Sequence, residues 1–168
     1  MSEVIAREPG VNRYDGFTTV PVDDSNIAHI VRLAEELHGL GTLKTVQFDW
    51  NHCLATMRRV LSNPMFFTRL AHSSVGYCGA VVGHVDMFFF SPKFFATENA
   101  WYVRDGTPFR AKIAMALMRE FVHWAMDEKG ADHVQGGDIA NINTMGVDAL
   151  YRRLGFERYG VIYRYGGV

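Results

Sequence analysis

The chain has 168 residues, 48% of them hydrophobic, enough to bury one sizeable core but short for two full domains. Its 17 basic and 18 acidic residues leave a formal net charge of -1, so no bulk field draws it to nucleic acid or an anionic membrane, and any polyanion contact must come from a local patch. Cys53 and Cys78 are too few and too far apart for a zinc knuckle or a disulfide framework and fit a reducing cytoplasm; the first 16 residues lack an apolar signal core, and no later run is long enough to span a bilayer.

In chain order, residues 1–16 carry Pro9 and Gly10 without periodicity and are expected as an arm ordered only by docking, followed by one domain over 17–168. Phe17 to Val22 predicts a first strand. Asp23-Asp24-Ser25 offers capping oxygens to a helix whose Ile27, Ile30, Val31, Ala34 and Leu37 run at helical spacing to Gly39. Trp50, Cys53, Leu54, Met57, Val60 and Leu61 repeat that spacing in a second helix, stopped by Asn63-Pro64. Phe66 to Phe90, rich in aromatic and β-branched residues, reads as two antiparallel strands turning at Ser73-Ser74 and Gly76, and a third strand runs from about Thr97 to Val103.

Phe109, Ile113, Leu117 and Phe121 then predict a long helix from Pro108 to about Lys129, with Gly130 as its C-cap. A short strand from Ala131 to Gln135, a helix from Val147 to Leu154 and closing strands from Phe156 to Tyr165 complete the chain. Val147, Leu150, Tyr151 and Leu154 form one apolar face of that last helix, and Gly155 is suited to end it with a positive φ. There is no internal repeat and no low-complexity tract.

The string Tyr151-Arg152-Arg153-Leu154-Gly155-Phe156 resembles the late signature of the GNAT superfamily of N-acetyltransferases, and the order of elements agrees with that fold over nearly the whole chain after the arm. The resemblance implies an α/β fold with a mixed, mostly antiparallel central sheet flanked by about four helices. It also implies acetyl-CoA as acyl donor and direct attack by a primary amine, on a small molecule or a protein. Gly146-Val147-Asp148 leading into this string looks like compact phage-encoded members.

In the family the tyrosine faces the sulfur of acetyl-CoA, so Tyr151 is the candidate general acid, although an aromatic on an apolar helix face is more often core. The family's asparagine, seven residues ahead of the tyrosine, is replaced here by Thr144 with Asn143 adjacent, the pair expected at the CoA amide.

The strand, loop and helix start from Val103 to Ala114 have the form of an anion site, because unpaired N–H groups and the helix dipole point at one spot. The family's pyrophosphate loop, laid on Leu117-Met118, falls on Phe109, Arg110, Ala111, Lys112, Ile113 and Ala114, and only the last position matches. A register shifted to Gly106 and Thr107 is the alternative. Arg104, Arg110 and Lys112 cluster cations there, with solvated charge at a helix start as the structural reading. Backbone N–H groups around Tyr102 and Val103 would supply an oxyanion contact if the strands splay.

For the base that removes the amine proton, Glu98 is the first candidate, with His84 and then Asp86 behind it, each also readable as a surface residue of an antiparallel sheet. The seven histidines show no metal-ligand spacing. Met87 to Phe95 holds five phenylalanines, which alternation cannot bury on one sheet face; it reads as a buried strand end, an acceptor wall or a homodimer contact. Two rival functions stand beside acyl transfer to an ordinary amine: a GNAT-shaped protein that binds a partner without turnover, and acylation of nucleobase amines with the phenylalanines stacking on bases, against which the near-neutral charge counts.

Overall fold

The computed structural model describes residues 10–42, 44–137 and 144–159. Among these residues six strands lie in chain order across one sheet: β1 (Asn12–Tyr14), β2 (Phe17–Pro21), β3 (Phe66–Ser73), β4 (Gly76–Met87), β5 (Phe94–Val103) and β6 (Ala131–Gln135). Neighbours are antiparallel except β5 and β6, which run parallel. The crossover between those two is α3 (Arg110–His123) with a π turn, Trp124–Glu128. The remaining helices are α1 (Ile27–Leu40), α2 (Trp50–Leu61) and α4 (Thr144–Arg153).

Residues opposite one another on neighbouring strands share a sheet face. On one face Leu70 and Ala80 pack with Ile27, Ile30, Val31 and Leu33 of α1 and Met57 of α2. On the other, Phe67, Val81, Ala96 and Val103 pack with Ile113, Leu117 and Phe121 of α3, and Leu150, Tyr151, Leu154 and Phe156 close over that layer. The sheet is therefore covered on both sides, which is why β4 is apolar over most of its length.

Several expectations are revised. Asn12–Tyr14, placed in the arm, form a hairpin with β2; Tyr14 Oη donates to Glu120 Oε1 at 2.8 Å and ties that hairpin to α3. The cap of α1 is Asn26, without a side-chain cap bond, while Asp23 closes the preceding turn by accepting from the Ser25 N–H at 2.8 Å. Helix α3 starts at Arg110, not Pro108, because Phe109 is left-handed (φ 61°) and cannot continue a helix. Gly130, expected as the C-cap, follows the cap residue Lys129 with a positive φ of 69°. Phe156 to Tyr159 form no strand, and the rest of the expected closing strands lies outside the described residues. Among the described residues no helix is long and apolar enough to cross a membrane.

Candidate active site

The end of α4 is set locally. Gly155 (φ 87°) donates its N–H to Arg152 O and Phe156 donates to Tyr151 O, both at 3.0 Å, the paired bonds of a Schellman motif. The motif folds Phe156 back on the residue three places before the cap, and the Tyr151 and Phe156 rings meet edge to face at 5.1 Å. Trp101 holds Tyr151 from the sheet side, with centroids 5.2 Å apart, and is itself anchored by its indole N–H to Ala114 O at 3.0 Å.

The Tyr151 hydroxyl then donates to Glu98 Oε2 at 2.8 Å, across 53 residues of sequence. A β-bulge makes that contact possible. Val82 faces Ala100 while Gly83 faces Glu98, so Asn99 is an extra residue in β5. Without it, Glu98 and Trp101, three residues apart, would lie on opposite faces; with it, both face α3 and α4. Gly83 accommodates the same kink, since a Cβ there would overlap the Phe121 ring.

Strands β5 and β6 pair only from Phe94 with Ala131 to Thr97 with Gln135. Beyond this, Glu98–Val103 has no described strand on its outer edge, and Tyr151 stands beside that opening. Arg104 N–H donates to Cys78 O at 2.8 Å, toward β4, so alternation points the Tyr102 N–H toward β4 and those of Trp101 and Val103 outward. Of the two residues expected at an oxyanion contact, Val103 turns its N–H to the opening and Tyr102 does not; Trp101, outside that expectation, turns its N–H the same way as Val103. Burial first, then the carboxylates Glu36 and Asp105, push the Tyr102 phenol up from its ordinary pKa.

His84 is not brought to Tyr151. It stands opposite Thr97, on the face that carries α1 and α2, with Nδ1 2.8 Å from Asn99 Oδ1 and its ring stacked on Phe66. Asp86 is exposed and accepts from the Met87 N–H.

At the β5 end, Gly106 (φ 71°) and Phe109 are the left-handed positions of the loop into α3. The Phe109 ring lies over Gly16, where any Cβ would overlap it. Two of the three expected cations are engaged within the protein. Arg104 forms a bidentate pair with Glu36 of α1, at 2.9 and 2.7 Å, whose hydrogen bonds raise the guanidinium pKa further. Arg110 pairs with Asp105 and donates Nε to Val103 O at 3.0 Å. Lys112 lies exposed in the first turn, 5.4 Å from the Phe109 ring centre.

Ala111 and Lys112 have first-turn N–H groups with no carbonyl four residues back inside the helix, whereas Ile113 N–H donates to Phe109 O at 3.0 Å and both Ile113 and Ala114 are buried against the sheet. Thr107 is buried at the mouth of this turn, its hydroxyl without a hydrogen-bond partner among the described residues. Thr107, a residue of the shifted register, and these first-turn N–H groups border the same helix start. Thr144 opens α4, its side chain and Asn143 lying outside the described residues.

The phenylalanine run divides. Phe88 packs against Phe95 and His133, Phe94 against the core, and Phe89 and Phe90 are fully and 85% exposed at the hairpin tip, at the other end of β5 from the Arg104 loop.

The fold is similar to that of solved acetyltransferase structures. Among solved structures, the chain is similar to aminoglycoside 6'-N-acetyltransferase AAC(6')-Iy in complex with a CoA-S-monomethyl-acetylneamine bisubstrate analogue, with a TM-score of 0.71, 16% identity, and coverage of 90% of this chain and 98% of that one. It is similar to AAC(6')-Ig from Acinetobacter haemolyticus (TM-score 0.68, 16% identity, 89% and 98% covered). A third is an aminoglycoside acetyltransferase from an uncultured soil metagenomic sample, in complex with sisomicin (TM-score 0.68, 14% identity, 92% and 97% covered). No protein-family model and no curated protein matches the sequence.

Proposed function

We propose that this chain is a cytoplasmic N-acetyltransferase that moves an acetyl group from acetyl-CoA to a primary amine by direct attack. The observation that carries this reading is the hydrogen-bonded Tyr151–Glu98 pair at the opening between β5 and β6. The fold supports it, since the similar structures include a CoA conjugate and an aminoglycoside complex.

Acetyl-CoA would supply an acetyl thioester, a carbonyl already activated toward an amine. The anion-site features at α3 fit its pyrophosphate: the Thr107 hydroxyl, the N–H groups of Ala111 and Lys112, and the Lys112 ammonium. Glu98 takes the proton of the attacking amine at a carboxylate oxygen; the N–H groups of Trp101 and Val103, facing the opening, donate to developing negative charge on the carbonyl oxygen. Tyr151 gives its phenolic proton to the departing sulfur and recovers one from protonated Glu98 through the hydrogen bond they share. Protons balance: one leaves the amine, one reaches the thiol.

The test is Tyr151→Phe, which keeps the ring between Trp101 and Phe156 and removes the donor. CoA affinity and melting temperature should survive while the single-turnover rate falls roughly 10²–10⁴-fold. A wild-type single-turnover rate in that variant would reduce Tyr151 to packing. The engaged Arg104 and Arg110 favour one other reading, a GNAT-shaped binding protein without turnover, and absence of CoA binding by calorimetry would select it.

A further inference from the structure

Resting on the acyl-transfer reading, we infer that Gly136 is a positioning residue for the Tyr151–Glu98 pair, a role that neither composition nor the family resemblance assigns. Gly136 is the first residue after β6, at the point where β6 stops pairing with β5. A Cβ built on it would lie 2.5 Å from the Tyr151 hydroxyl, 3.1 Å from Glu98 Oε2 and 3.2 Å from Tyr151 Cε1. It is the absence of a side chain there that leaves room for the hydroxyl and the carboxylate to meet.

The requirement is steric and not conformational. Gly136 is not among the positive-φ glycines, so its backbone is open to alanine. The added methyl would have to displace the tyrosine, and that ring is confined by Trp101 at 5.2 Å and Phe156 at 5.1 Å. The relief available is for the hydroxyl to move off Glu98, and a misplacement of about 1 Å at a reacting group can cost on the order of 10²-fold in rate. Gly137, the next residue, has nothing within 4 Å of a built Cβ among the described residues and serves as the control.

The experiment combines crystal structures with thiol release from acetyl-CoA, followed with neamine as acceptor and with water alone. Gly136→Ala should keep CoA affinity by calorimetry, place the Tyr151 and Glu98 oxygens beyond hydrogen-bond distance, and lower thiol release about 10- to 100-fold in kcat with KM little changed. Gly137→Ala should match the wild type in both. In a Tyr151→Phe background, Gly136→Ala should cost far less further rate, because the 2.5 Å contact with the hydroxyl is gone and only the looser ones at 3.1 and 3.2 Å remain.

An intact 2.8 Å bond in the Gly136→Ala crystal, or the same fractional slowing in both backgrounds, overturns the inference and leaves the functional reading standing. If Gly136→Ala alone does not fold, recovery of the melting temperature in the double variant supports the clash and no recovery overturns it. Wild-type protein that neither binds acetyl-CoA nor releases thiol rejects the functional reading instead, and the crystal distance still decides whether Gly136 sets the pair.

Discussion

The two halves of β5 are made by one strand and do different work. From Phe94 to Thr97 it is held on both edges, by β4 and by β6, and Ala96 lies fully buried under α3. From Glu98 to Val103, β4 is its one partner among the described residues; it is kinked by the bulge at Asn99 and presents Glu98 and Trp101 to Tyr151, with backbone N–H groups of Trp101 and Val103 pointing outward. A sheet fully paired on both edges has no N–H groups to offer a ligand. Parting two strands while keeping the hydrophobic layer beneath them creates donors inside a rigid frame.

If this division is right, substitutions at the open half should cost turnover and those at the paired half should cost stability. The largest effect is expected at Glu98→Gln: a loss of roughly 10²–10⁴-fold in kcat/KM at neutral pH, with melting temperature little changed. Equal loss of stability and rate would erase the contrast. Phe121→Ala, whose ring lies fully buried against Gly83, should cost about 3–5 kcal/mol by chemical denaturation, with CoA affinity retained in the folded fraction.

A smaller effect is expected beyond the open half, at the α3 start. Lys112→Glu places a carboxylate in the first turn and should weaken CoA binding about tenfold by calorimetry, roughly 1.4 kcal/mol. Unchanged affinity in the folded variant would reject this helix start as the anion site. Beyond the paired half, at the hairpin tip, Phe89→Ser removes an exposed ring and should change stability by no more than about 0.5 kcal/mol. A change in oligomer mass or in acceptor KM would give the tip a contact role, and a large stability loss would show it to be core.

The smallest effect tests the hairpin remote from β5. Burial, and then the hydrogen bond and charge of Glu120, push the Tyr14 phenol from 10.0 to about 12. A raised folded pKa favours the protonated form, so its contribution is present below pH 10 and is lost as pH rises through about 12. Denaturation midpoints should fall more steeply across that window in the wild type than in Tyr14→Phe. Parallel curves would show that the phenol does not titrate with the hairpin.

Much of the architecture was legible because it rests on local periodicity. The apolar spacing from Trp50 to Leu61 marks the bounds of α2, the turn at Ser73-Ser74 and Gly76 separates β3 from β4, and Leu154-Gly155-Phe156 announces the cap that positions Tyr151. Glu98 and Tyr151 were both recognisable as candidates, but nothing local says that they touch. Arg104 looked available for phosphate because its partner, Glu36, lies 68 residues earlier on α1. Trp101 carries no local mark that sets it apart from other strand residues, whereas Gly136-Gly137 is a signal of its own, two glycines directly after a strand. His84 lies on the other face because it follows Gly83 in β4, and it is Gly83 that shares a face with Glu98.

The sequence by itself determined the approximate helices, most of the strands along the chain and the tyrosine at the end of α4, since helical and strand periods, glycine conformation and capping act over a few residues. Tertiary structure alone decided which carboxylate meets that tyrosine, which cations remain for a ligand and where the sheet opens. Each of those depends on strand register, and register is set by the packing of residues far apart in the chain.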